Sequence, residues 1–238
     1  MLEKFRRLIA REKGTKPLMH VAVTMNGIKP WSDKQGVSLD DAYKKGFEIL
    51  NEIIGLQSDK SIPILTVYLM PENIKDKEQY PVFLAELINF FSSLGSADVI
   101  HQNKTKISIL GKWYDLPGRV VEPIKKMIEE TKDYDGFFLN FCINYDGQEE
   151  IVDACKLIAR QIKANRVDVD AITKKRIKEN TYSSYFVPPD IIIKNGKLRR
   201  TAGILLWDST DSELYFTEKD WPEFTKSDFL KAVGSFNQ

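Results

Sequence analysis

Apolar runs of strand length alternate with helix-period segments along this chain of 238 residues, and that alternation constrains its fold more than any other feature. The runs are His20–Met25, Ile64–Met70, Lys106–Leu110, Gly136–Ile143, Asp190–Ile193 and Gly203–Trp207. Between several of them apolar residues repeat with the helical period, as at Phe47, Leu50 and Ile54. Strands that alternate with helices pair in parallel through right-handed crossovers. The sequence therefore predicts a single α/β domain over residues 1–238, with a mostly parallel six-stranded sheet flanked by helices.

Two further segments and two cysteines carry specific expectations about packing. Val82–Leu94 is rich in Phe and Leu, which is typical of a core helix or of the wall of an apolar groove, and we favour the core helix. Asp168–Asn180 is strongly charged with little to bury, which predicts an exposed helix. Cys142 falls in an apolar strand pattern and Cys155 in an amphipathic helix pattern. We expect two buried free thiols in a reducing compartment, rather than a disulfide or a metal-binding pair.

The charge balance limits the partners that the chain as a whole can attract. Lys and Arg number 35 and Asp and Glu number 34, which gives a net charge of +1. No overall field recruits nucleic acid or an anionic membrane, so any anion site must be local. Met1–Glu12 lacks the apolar core of a signal peptide, and no apolar run approaches the roughly 18 residues that span a bilayer. These features predict a cytoplasmic protein that handles lipids, if at all, from the water side of a membrane.

Small polar residues follow four of the predicted strands. They occur at Asn26–Gly27, Pro71–Asn73, Asn144–Gly147 and Lys194–Gly196. Ligands of an open parallel sheet bind beyond the carboxyl ends of its strands, where glycines let backbone amides approach an anion. Asn and Gly also form ordinary turns, and for any single loop that structural role is the better interpretation. Four such loops at one edge of the sheet nevertheless favour a pocket there.

Basic residues near the same edge suit phosphate recognition, although a solvated charged turn is the alternative interpretation. They are Lys29, Lys44, Lys45, Lys194, Lys197, Arg199 and Arg200. The sequence contains neither a P-loop nor a GxGxxG motif. With only two histidines, His20 and His101, neither a metal-ligand cluster of suitable spacing nor a Ser or Cys triad is indicated.

Five segments, in order along nearly the whole chain, resemble motifs of the cis-prenyltransferases, the family of undecaprenyl and dehydrodolichyl diphosphate synthases. Pro17–Gly27 resembles the opening strand with its M-D-G loop, and Tyr68–Asn73 resembles the Y-A-F-S-T-E-N segment. Gly111–Pro117 is similar to the G-D…L-P turn, and Asn144–Ala154 to N-Y-G-G-R-x-E-I-V-D-A. Leu205–Phe224 closely resembles the C-terminal signature of the family. The ordered set implies the fold of that family.

The resemblance also implies a chemistry. Members of the family condense isopentenyl diphosphate onto an allylic diphosphate and build cis double bonds into a polyprenyl chain. That reaction uses Mg²⁺ and several cations to neutralise two diphosphates, beside an apolar tunnel for the product. In the family an aspartate after the first strand organises the metal, and arginines after the first and fifth strands hold the phosphates. The corresponding positions are Asn26, Gly27, Lys29, Trp31, Lys44, Asn73, Arg199 and Arg200 for diphosphate, and Glu213 for the metal.

The sequence departs from the family pattern at several of these positions. Asn26 replaces the aspartate and is a neutral, poorer ligand for Mg²⁺. Pro30 replaces the arginine of the first loop, Gln148 replaces the arginine after N-Y-G-G, and Lys194 opens the former R-T-S-G-E loop. Losing one preorganised electrostatic group typically costs roughly 10²–10³ in rate. We therefore expect no ordinary catalysis and no cofactor in the lone chain, with Mg²⁺ bound in an assembled complex.

Three hypotheses follow from this partial match. The first is a non-catalytic accessory subunit, of the Nogo-B receptor kind, that binds a catalytic cis-prenyltransferase homologue through its C-terminal half. Such subunits usually contribute a terminal Arg-x-Gly segment to the partner's site, and this sequence ends at Gln238, about where that segment would begin. This counts against the hypothesis unless the segment lies beyond this sequence or the partner is helped in another way. The second is an altered transferase, active alone, that holds prenyl diphosphates with the basic residues of the sheet edge. The third is a prenyl-lipid-binding protein whose groove is formed by Phe83–Phe91.

Overall fold

Six parallel strands form the central sheet of the computed structural model, which describes residues 16–236. They are β1 (His20–Thr24), β2 (Ile64–Pro71), β3 (Thr105–Leu110), β4 (Phe137–Tyr145), β5 (Ile191–Lys194) and β6 (Glu213–Phe216). Their order is β3-β4-β2-β1-β5-β6, and every neighbouring pair is parallel. The predicted α/β fold with a six-stranded sheet is confirmed. The carboxyl ends of the strands consequently lie along one edge of the sheet.

The described part of the chain contains eight helices, four of which begin at a side-chain cap. They are α1 (Ile28–Gln35), α2 (Leu39–Asp59), α3 (Tyr80–Leu94), α4 (Asp98–Gln102), α5 (Gly118–Thr131), α6 (Gly147–Lys163), α7 (Lys174–Lys178) and α8 (Lys226–Gly234). Ser38 caps α2 by accepting from the N–H of Asp41 at 3.1 Å. Asp146 caps α6 in the same way. Each such cap contributes about 1 kcal/mol, so these helix starts follow from local sequence.

The larger core lies between one face of the sheet and α2, α3 and α5. The Phe-rich α3 supplies its centre, where Phe83, Phe90 and Phe91 are each at most 3% exposed. The ring of Phe90 stacks on that of Phe47 with centroids 4.9 Å apart. Burying an aromatic side chain of this size contributes about 1.5–3 kcal/mol. The core-helix interpretation of Val82–Leu94 is thus confirmed, although Phe83 also lines a cavity at the edge of this core.

The strand predicted at Gly203–Trp207 is wrong, because these residues form a turn. Ala202 and Leu205 have φ angles of 54° and 44°, which no strand accommodates. Ile204 and Leu205 are apolar because they pack in a smaller core that covers the opposite face of the sheet. A short apolar run of this kind cannot be distinguished from a strand by periodicity alone.

The sixth strand is β6, which lies at the edge of the sheet beside β5. Its residues Glu213 and Leu214 are exposed, and Tyr215 is only partly buried. An edge strand has one neighbour and little core to face, so its sequence carries a weak apolar signal. The number of strands was therefore predicted correctly while one of them was misplaced.

The structure also tests the smaller expectations about Asp168–Asn180 and the two cysteines. Asp168–Asn180 does not form one helix: a short 3₁₀ turn at Val169–Ala171 precedes α7, and each has its own side-chain cap. Cys142 is buried as predicted, but Cys155 is exposed because it lies on the solvent side of α6; both thiols are free. Met1–Glu12 lies outside the described residues. Within residues 16–236, no helix has the length and apolarity needed to cross a bilayer.

Candidate functional site

The loops after β1 and β5 are joined by hydrogen bonds between two asparagines. The backbone N–H of Asn26 donates to Oδ1 of Asn195 at 3.1 Å, and Nδ2 of Asn195 donates to the Asn26 carbonyl at 2.8 Å. Oγ1 of Thr24 donates to the same Asn195 Oδ1 at 2.8 Å. Nδ2 of Asn26 in turn donates to Thr24 Oγ1 at 2.8 Å. These bonds hold the two loops as one polar floor at the carboxyl edge of the sheet.

Gly27 is the N-cap residue directly before α1 and has a left-handed conformation, with a φ angle of 87°. A Cβ atom at this position would lie 2.1 Å from Oδ1 of Asp220, so the close approach of that carboxylate requires glycine. The first N–H groups of a helix have no partner inside it and carry the positive end of its dipole. No side chain caps these groups in α1. The start of α1 is therefore suited to an anion at the edge of the floor.

A cavity of about 450 Å³ lies beside this floor, and we call it the cationic cavity. Its lining includes three basic side chains, Lys194, Lys197 and Arg200, and the carboxylate of Asp220. The backbone of Gly196, which has a φ angle of 87°, completes the wall between them. Guanidinium and ammonium groups around a glycine turn are the arrangement that proteins use to bind phosphate groups.

Lys194 is the most buried cation of this cavity. It ends β5, is 2% exposed, and its Nζ lies 3.4 Å from Oγ1 of Thr24. No carboxylate among the described side chains lies within ion-pair distance of that ammonium. Burial, and secondarily the charge of Arg200, lowers the pKa of Lys194 to about 8. Since an isolated buried charge is costly, a bound anion would stabilise this lysine in its protonated form.

Among the described residues, Asp220 is the one acidic side chain that lines the same cavity. It is 7% exposed, and its carboxylate makes no hydrogen bond or ion pair with any described residue. Burial, followed by the charge of Glu223, raises its pKa, while Lys197 and Lys34 act in the opposite direction. Sequence patterns do not single out Asp220, because it precedes a Trp-Pro segment whose apolar residues indicate packing. Only its position against Gly27 reveals it.

A second cavity, of about 440 Å³, shares the Asn26–Gly27 loop with the cationic cavity, and we call it the apolar cavity. Asn73 and Lys77, which are exposed, lie on its solvent side. Its buried side is formed by Met25, Tyr43, Leu69 and Phe83. An anion site and a space for a short apolar group thus meet at one loop.

Five of the predicted site residues are brought together at this edge. Asn26, Gly27, Lys29 and Asn73 line the apolar cavity. Arg200 lines the cationic cavity, which Asn26 and Gly27 also border. These five come from three different strand ends, as the parallel topology predicts.

Two predicted residues on the first helices lie away from both cavities. Trp31 of α1 is 8% exposed, and the ammonium of Lys45 lies 4.6 Å from the centroid of its ring. Lys44 of α2 is exposed and forms an ion pair with Asp40 at 2.5 Å. Both residues have partners that account for their positions without a ligand.

Arg199 and Glu213, the remaining predicted residues, are also separate from the cavities. Arg199 is exposed and pairs with Glu218 at 3.3 Å. Glu213 begins β6 and lies opposite Ile191, the first residue of β5. It therefore lies at the amino end of the sheet, whereas both cavities adjoin the carboxyl ends.

The residues at the Asn26 loop fit a magnesium ion only in combination with a bound anion. Among the side chains that the structure describes, no group of three or more His, Cys, Asp or Glu could hold a metal. Mg²⁺, however, usually keeps several waters and binds through one or two carboxylates together with substrate phosphates. Asp220 supplies one such carboxylate, and Oδ1 of Asn26 accepts no hydrogen bond from a described residue. This donor set suits an ion shared with a diphosphate.

An open parallel sheet thus carries the cationic cavity and the adjoining apolar cavity at its carboxyl edge. Residues 24–238 match the family model described as undecaprenyl diphosphate synthase. The chain therefore belongs to that family, the cis-prenyltransferases, which confirms the family resemblance of its motifs. Whether it is a degenerate, non-catalytic subunit stays a prediction.

Relatives that align with this chain over most of their own length have the names of enzymes. The chain is 34% identical to a tritrans,polycis-undecaprenyl-diphosphate synthase (geranylgeranyl-diphosphate specific) of Thermoplasma volcanium, over 92% of this chain and 86% of the relative. It is 29% identical to an isoprenyl transferase of Oceanobacillus iheyensis, over 92% and 87%. Among solved structures, lavandulyl diphosphate synthase of Lavandula x intermedia, in complex with dimethylallyl diphosphate, superposes with a TM-score of 0.88. That structure is 23% identical, with 92% of this chain and 94% of the other covered, and it supports the fold.

Proposed function

We propose that this chain is a transferase that uses prenyl diphosphates with an altered set of charges in its site. The observation that carries the proposal is the ammonium of Lys194, which is 2% exposed in a cavity and has no carboxylate partner among the described residues. Lys194 occupies the start of the loop where the family has an arginine. A lysine there keeps the positive charge and loses the planar fork that binds phosphate bidentately.

The two cavities suggest how the substrates are arranged. The diphosphate of isopentenyl diphosphate binds in the cationic cavity, against Lys194, Lys197 and Arg200. The allylic substrate places its diphosphate at the Asn26–Gly27 loop and its prenyl group in the apolar cavity. Sharing this loop brings the two reacting ends together, which removes much of the entropic cost of their encounter.

Closely packed aromatic rings limit the length of the prenyl group. The apolar cavity is bounded by Tyr43 and Phe83, whose ring centroids lie 5.4 Å apart. Beyond Phe83 the space between α2 and α3 is occupied by the rings of Phe47 and Phe90. A long polyprenyl chain would have to displace these core side chains at a cost of several kcal/mol. The favoured substrates are therefore short allylic diphosphates such as dimethylallyl and geranyl diphosphate.

The reaction assigned to this site is one prenyl transfer. The C–O bond of the allylic diphosphate breaks, its carbon bonds to C4 of isopentenyl diphosphate, and C2 of isopentenyl diphosphate loses a proton. The products are inorganic diphosphate, a proton and a prenyl diphosphate longer by one isoprene unit. Lys194 and Arg200 hold and neutralise phosphate oxygens, and the apolar cavity excludes water from the allylic carbon. Mg²⁺, when bound, supplies further charge neutralisation on the leaving diphosphate.

Ligand binding and turnover test the proposal together. Calorimetry with isopentenyl and dimethylallyl diphosphates should show binding to the lone chain. Lys194→Met should weaken isopentenyl diphosphate binding by about tenfold or more, since a charge-assisted contact is worth about 1.5–3 kcal/mol. The matched control is Lys174→Met, which removes an exposed lysine. Radiolabelled isopentenyl diphosphate with Mg²⁺ then reports transfer. An absence of heat for both ligands at millimolar concentration would remove the proposal.

A second candidate is the accessory subunit, favoured by apolar side chains on the surface of the C-terminal half. Tyr185, Leu198 and Leu214 are 88%, 64% and 45% exposed, and Leu214 lies on the edge strand β6. Exposed apolar residues of this size suit an interface with another chain. Measuring prenyl transfer by this chain, by a homologue that keeps M-D-G-N, and by their mixture separates the candidates. Activity confined to the mixture would establish the subunit role, with Mg²⁺ held in the complex.

A further inference from the structure

Asp220 lies where a carboxylate would otherwise be missing. Asn26 is neutral where the family has an aspartate, and the side chain of Asp220 reaches the same loop from the C-terminal part of the chain. Its Oδ1 is so close to Gly27 that a Cβ there would lie 2.1 Å away. It also approaches the second glycine of the site, since a Cβ on Gly196 would lie 3.9 Å from the same oxygen and 3.6 Å from Cβ of Asn26.

We propose that Asp220 is the carboxylate with which this cavity binds a divalent cation, Mg²⁺, against a diphosphate. The inference rests on the proposed function, because the phosphate oxygens complete the coordination. It assigns to Asp220 a role that the sequence pattern assigns to position 26. The ion would contact Asp220 directly, with Oδ1 of Asn26 as a neutral second ligand.

Hydrogen bonds from neighbouring residues hold Asp220 in place. The N–H of Trp221 donates to the Asn26 carbonyl at 2.8 Å, and the N–H of Gly196 donates to the Lys219 carbonyl at 2.8 Å. The residues on either side of Asp220 are thereby tied to the two loops that form the polar floor. A ligand on so constrained a segment is preorganised for an ion at a defined position.

The partners that Asp220 lacks support a role for an external cation. Three basic side chains line the same cavity, yet none of those described pairs with this carboxylate. By contrast, nearby Glu223 pairs with Lys34 at 3.4 Å, and Asp228 pairs with Lys219 at 2.8 Å. Asp220 is 7% exposed and bonded to no described residue. A bound cation therefore stabilises this buried carboxylate more than it would stabilise a carboxylate in water.

The alternative role for Asp220 is repulsion, since a carboxylate beside an anion site can also exclude diphosphate. The two roles differ in their dependence on Mg²⁺. A metal ligand strengthens diphosphate binding only when the ion is present, whereas a repelling charge weakens it whether or not the ion is present. Binding of one diphosphate with and without Mg²⁺ therefore separates them.

The experiment is calorimetry of the unreactive analogue dimethylallyl S-thiolodiphosphate, in EDTA and in millimolar Mg²⁺, with Mn²⁺ binding followed by electron paramagnetic resonance. The proteins are the wild type, Asp220→Asn, Asp220→Ser as a second variant should the first not fold, and Glu223→Gln as the matched control. The double variant Asn26→Asp/Asp220→Asn restores a carboxylate at the other position. Melting temperatures verify that each variant is folded.

We expect Mg²⁺ to tighten analogue binding to the wild type and to Glu223→Gln. Asp220→Asn should lose at least about tenfold of that enhancement, because even an outer-shell partner of a metal is worth about 10–100-fold. Its affinity in EDTA should be unchanged or higher, and the double variant should regain the enhancement. An enhancement that survives in Asp220→Asn and Asp220→Ser, or tighter binding of these variants in both buffers, would overturn the inference and leave the proposed function standing. A wild type that binds no analogue in either buffer would overturn both.

Discussion

The indole Nε1–H of Trp221 donates a 2.8 Å hydrogen bond to the carbonyl oxygen of Gly46. Trp221 is fully buried, and its backbone N–H donates to the carbonyl oxygen of Asn26 in the loop after β1. One residue therefore connects α2, the loop after β1 and the segment that carries Asp220. The stability of the fold and the geometry of the site depend on it together.

Trp221→Phe should lower the free energy of unfolding by about 1–3 kcal/mol, because it removes the indole hydrogen bond and leaves unfilled volume in the core. Diphosphate binding should weaken as well, since the Asn26 loop loses part of its support. Urea denaturation and calorimetry measure the two effects. Trp113→Phe is the control, because Trp113 is only partly buried at the edge of the core. Equal losses in the two variants would contradict the special role of Trp221.

Gly27→Ala should destabilise the protein for two reasons. The alanine must adopt a φ angle of 87°, which costs of order 1 kcal/mol, and its Cβ meets Oδ1 of Asp220 at 2.1 Å. Gly36→Ala isolates the first effect, since Gly36 has a φ angle of 66° and nothing within 4 Å of an added Cβ. We expect Gly27→Ala to lose more unfolding free energy than Gly36→Ala in urea. In the double variant Gly27→Ala/Asp220→Gly, the extra loss of unfolding free energy seen for Gly27→Ala relative to Gly36→Ala should disappear. If the changes in unfolding free energy of the two single variants simply add up in the double variant, the steric contact is contradicted.

Lys194 should make stability depend on pH in the alkaline range. Its pKa is about 8 in the folded protein, against an ordinary value of 10.5, so the unfolded chain binds more protons between these values. Stability therefore rises with pH from about 8 to 10.5, by up to about 3 kcal/mol. Lys194→Met should remove this slope and increase stability at pH 7, because a buried charge is lost. Urea midpoints across that pH range, with Lys174→Met as the control, measure the effect; an unchanged slope would contradict it.

Titration of Lys194 should affect ligand affinity in the opposite direction, so that affinity falls where stability rises with pH. Only the protonated ammonium attracts a diphosphate, so affinity for isopentenyl diphosphate should fall as pH rises through about 8, the pKa of Lys194. Bound phosphate favours the charged lysine and shifts that loss to higher pH. Calorimetry at several pH values measures this fall in affinity. Lys194→Met should lack the part that is due to the lysine and keep the part that is due to titration of the diphosphate itself.

His20 should control stability on the acidic side. Burial lowers its pKa to about 4, against an ordinary value of 6.5, although Val187 and Asp190 act in the opposite direction. The folded protein holds the ring neutral, with Nδ1 2.7 Å from the Val187 carbonyl and Nε2 2.7 Å from Oγ1 of Thr66. The unfolded chain takes up the proton first, so this stability is complete above about pH 6.5 and is lost as pH falls towards 4.

His20→Gln tests this acid dependence. The variant should be less stable at pH 7 by about 1–3 kcal/mol, because it disturbs two buried hydrogen bonds. As pH falls from 6.5 to 4, however, the unfolding free energy of the variant should decrease by up to about 3 kcal/mol less than that of the wild type. His101→Gln is the control, since that histidine bonds to the Gly95 carbonyl and to Tyr134 near the surface. A His20→Gln slope equal to that of the wild type would exclude His20 as its source.

Much of the site was predictable because it follows from topology. Parallel strands end on one side of a sheet, so the polar residues after β1, β2 and β5 had to lie along the same edge. Asn26 lines both cavities there, Asn73 lines the apolar cavity, and Arg200 lines the cationic cavity. Inner strands buried on both faces also carry continuous apolar runs that a sequence displays plainly. Lys44 and Arg199 were less predictable, because each has an acidic neighbour that draws it to the surface.

Asp220 shows what sequence patterns could not predict. The carboxylate comes within reach of Gly27 through a contact between residues nearly two hundred positions apart, and no local period reports such a contact. The misplaced sixth strand has a related cause. Ile204 and Leu205 are apolar to fill the core from a turn, whereas Leu214 is an exposed residue of a true strand. An apolar run in the sequence indicates that its residues are buried. Buried residues mark a strand reliably only for the central strands of the sheet.

Phe83→Ala should lengthen the prenyl group that the protein accepts. Phe83 is 1% exposed, contacts the rings of Tyr43 and Phe47, and closes the buried side of the apolar cavity. Its truncation should cost about 3–5 kcal/mol of unfolding free energy and open the space beside Phe90. Affinity for farnesyl diphosphate should then increase relative to that for dimethylallyl diphosphate, as measured by calorimetry in EDTA.

Phe91→Ala is the matched control for the change in chain length. Phe91 is equally buried on α3 but does not line the apolar cavity, so its truncation should cost similar stability without altering the preference between the two diphosphates. A change of preference in both variants would indicate general loosening of the core. A preference unchanged in Phe83→Ala would mean that the prenyl group does not enter the apolar cavity, because a group lying there contacts the removed ring.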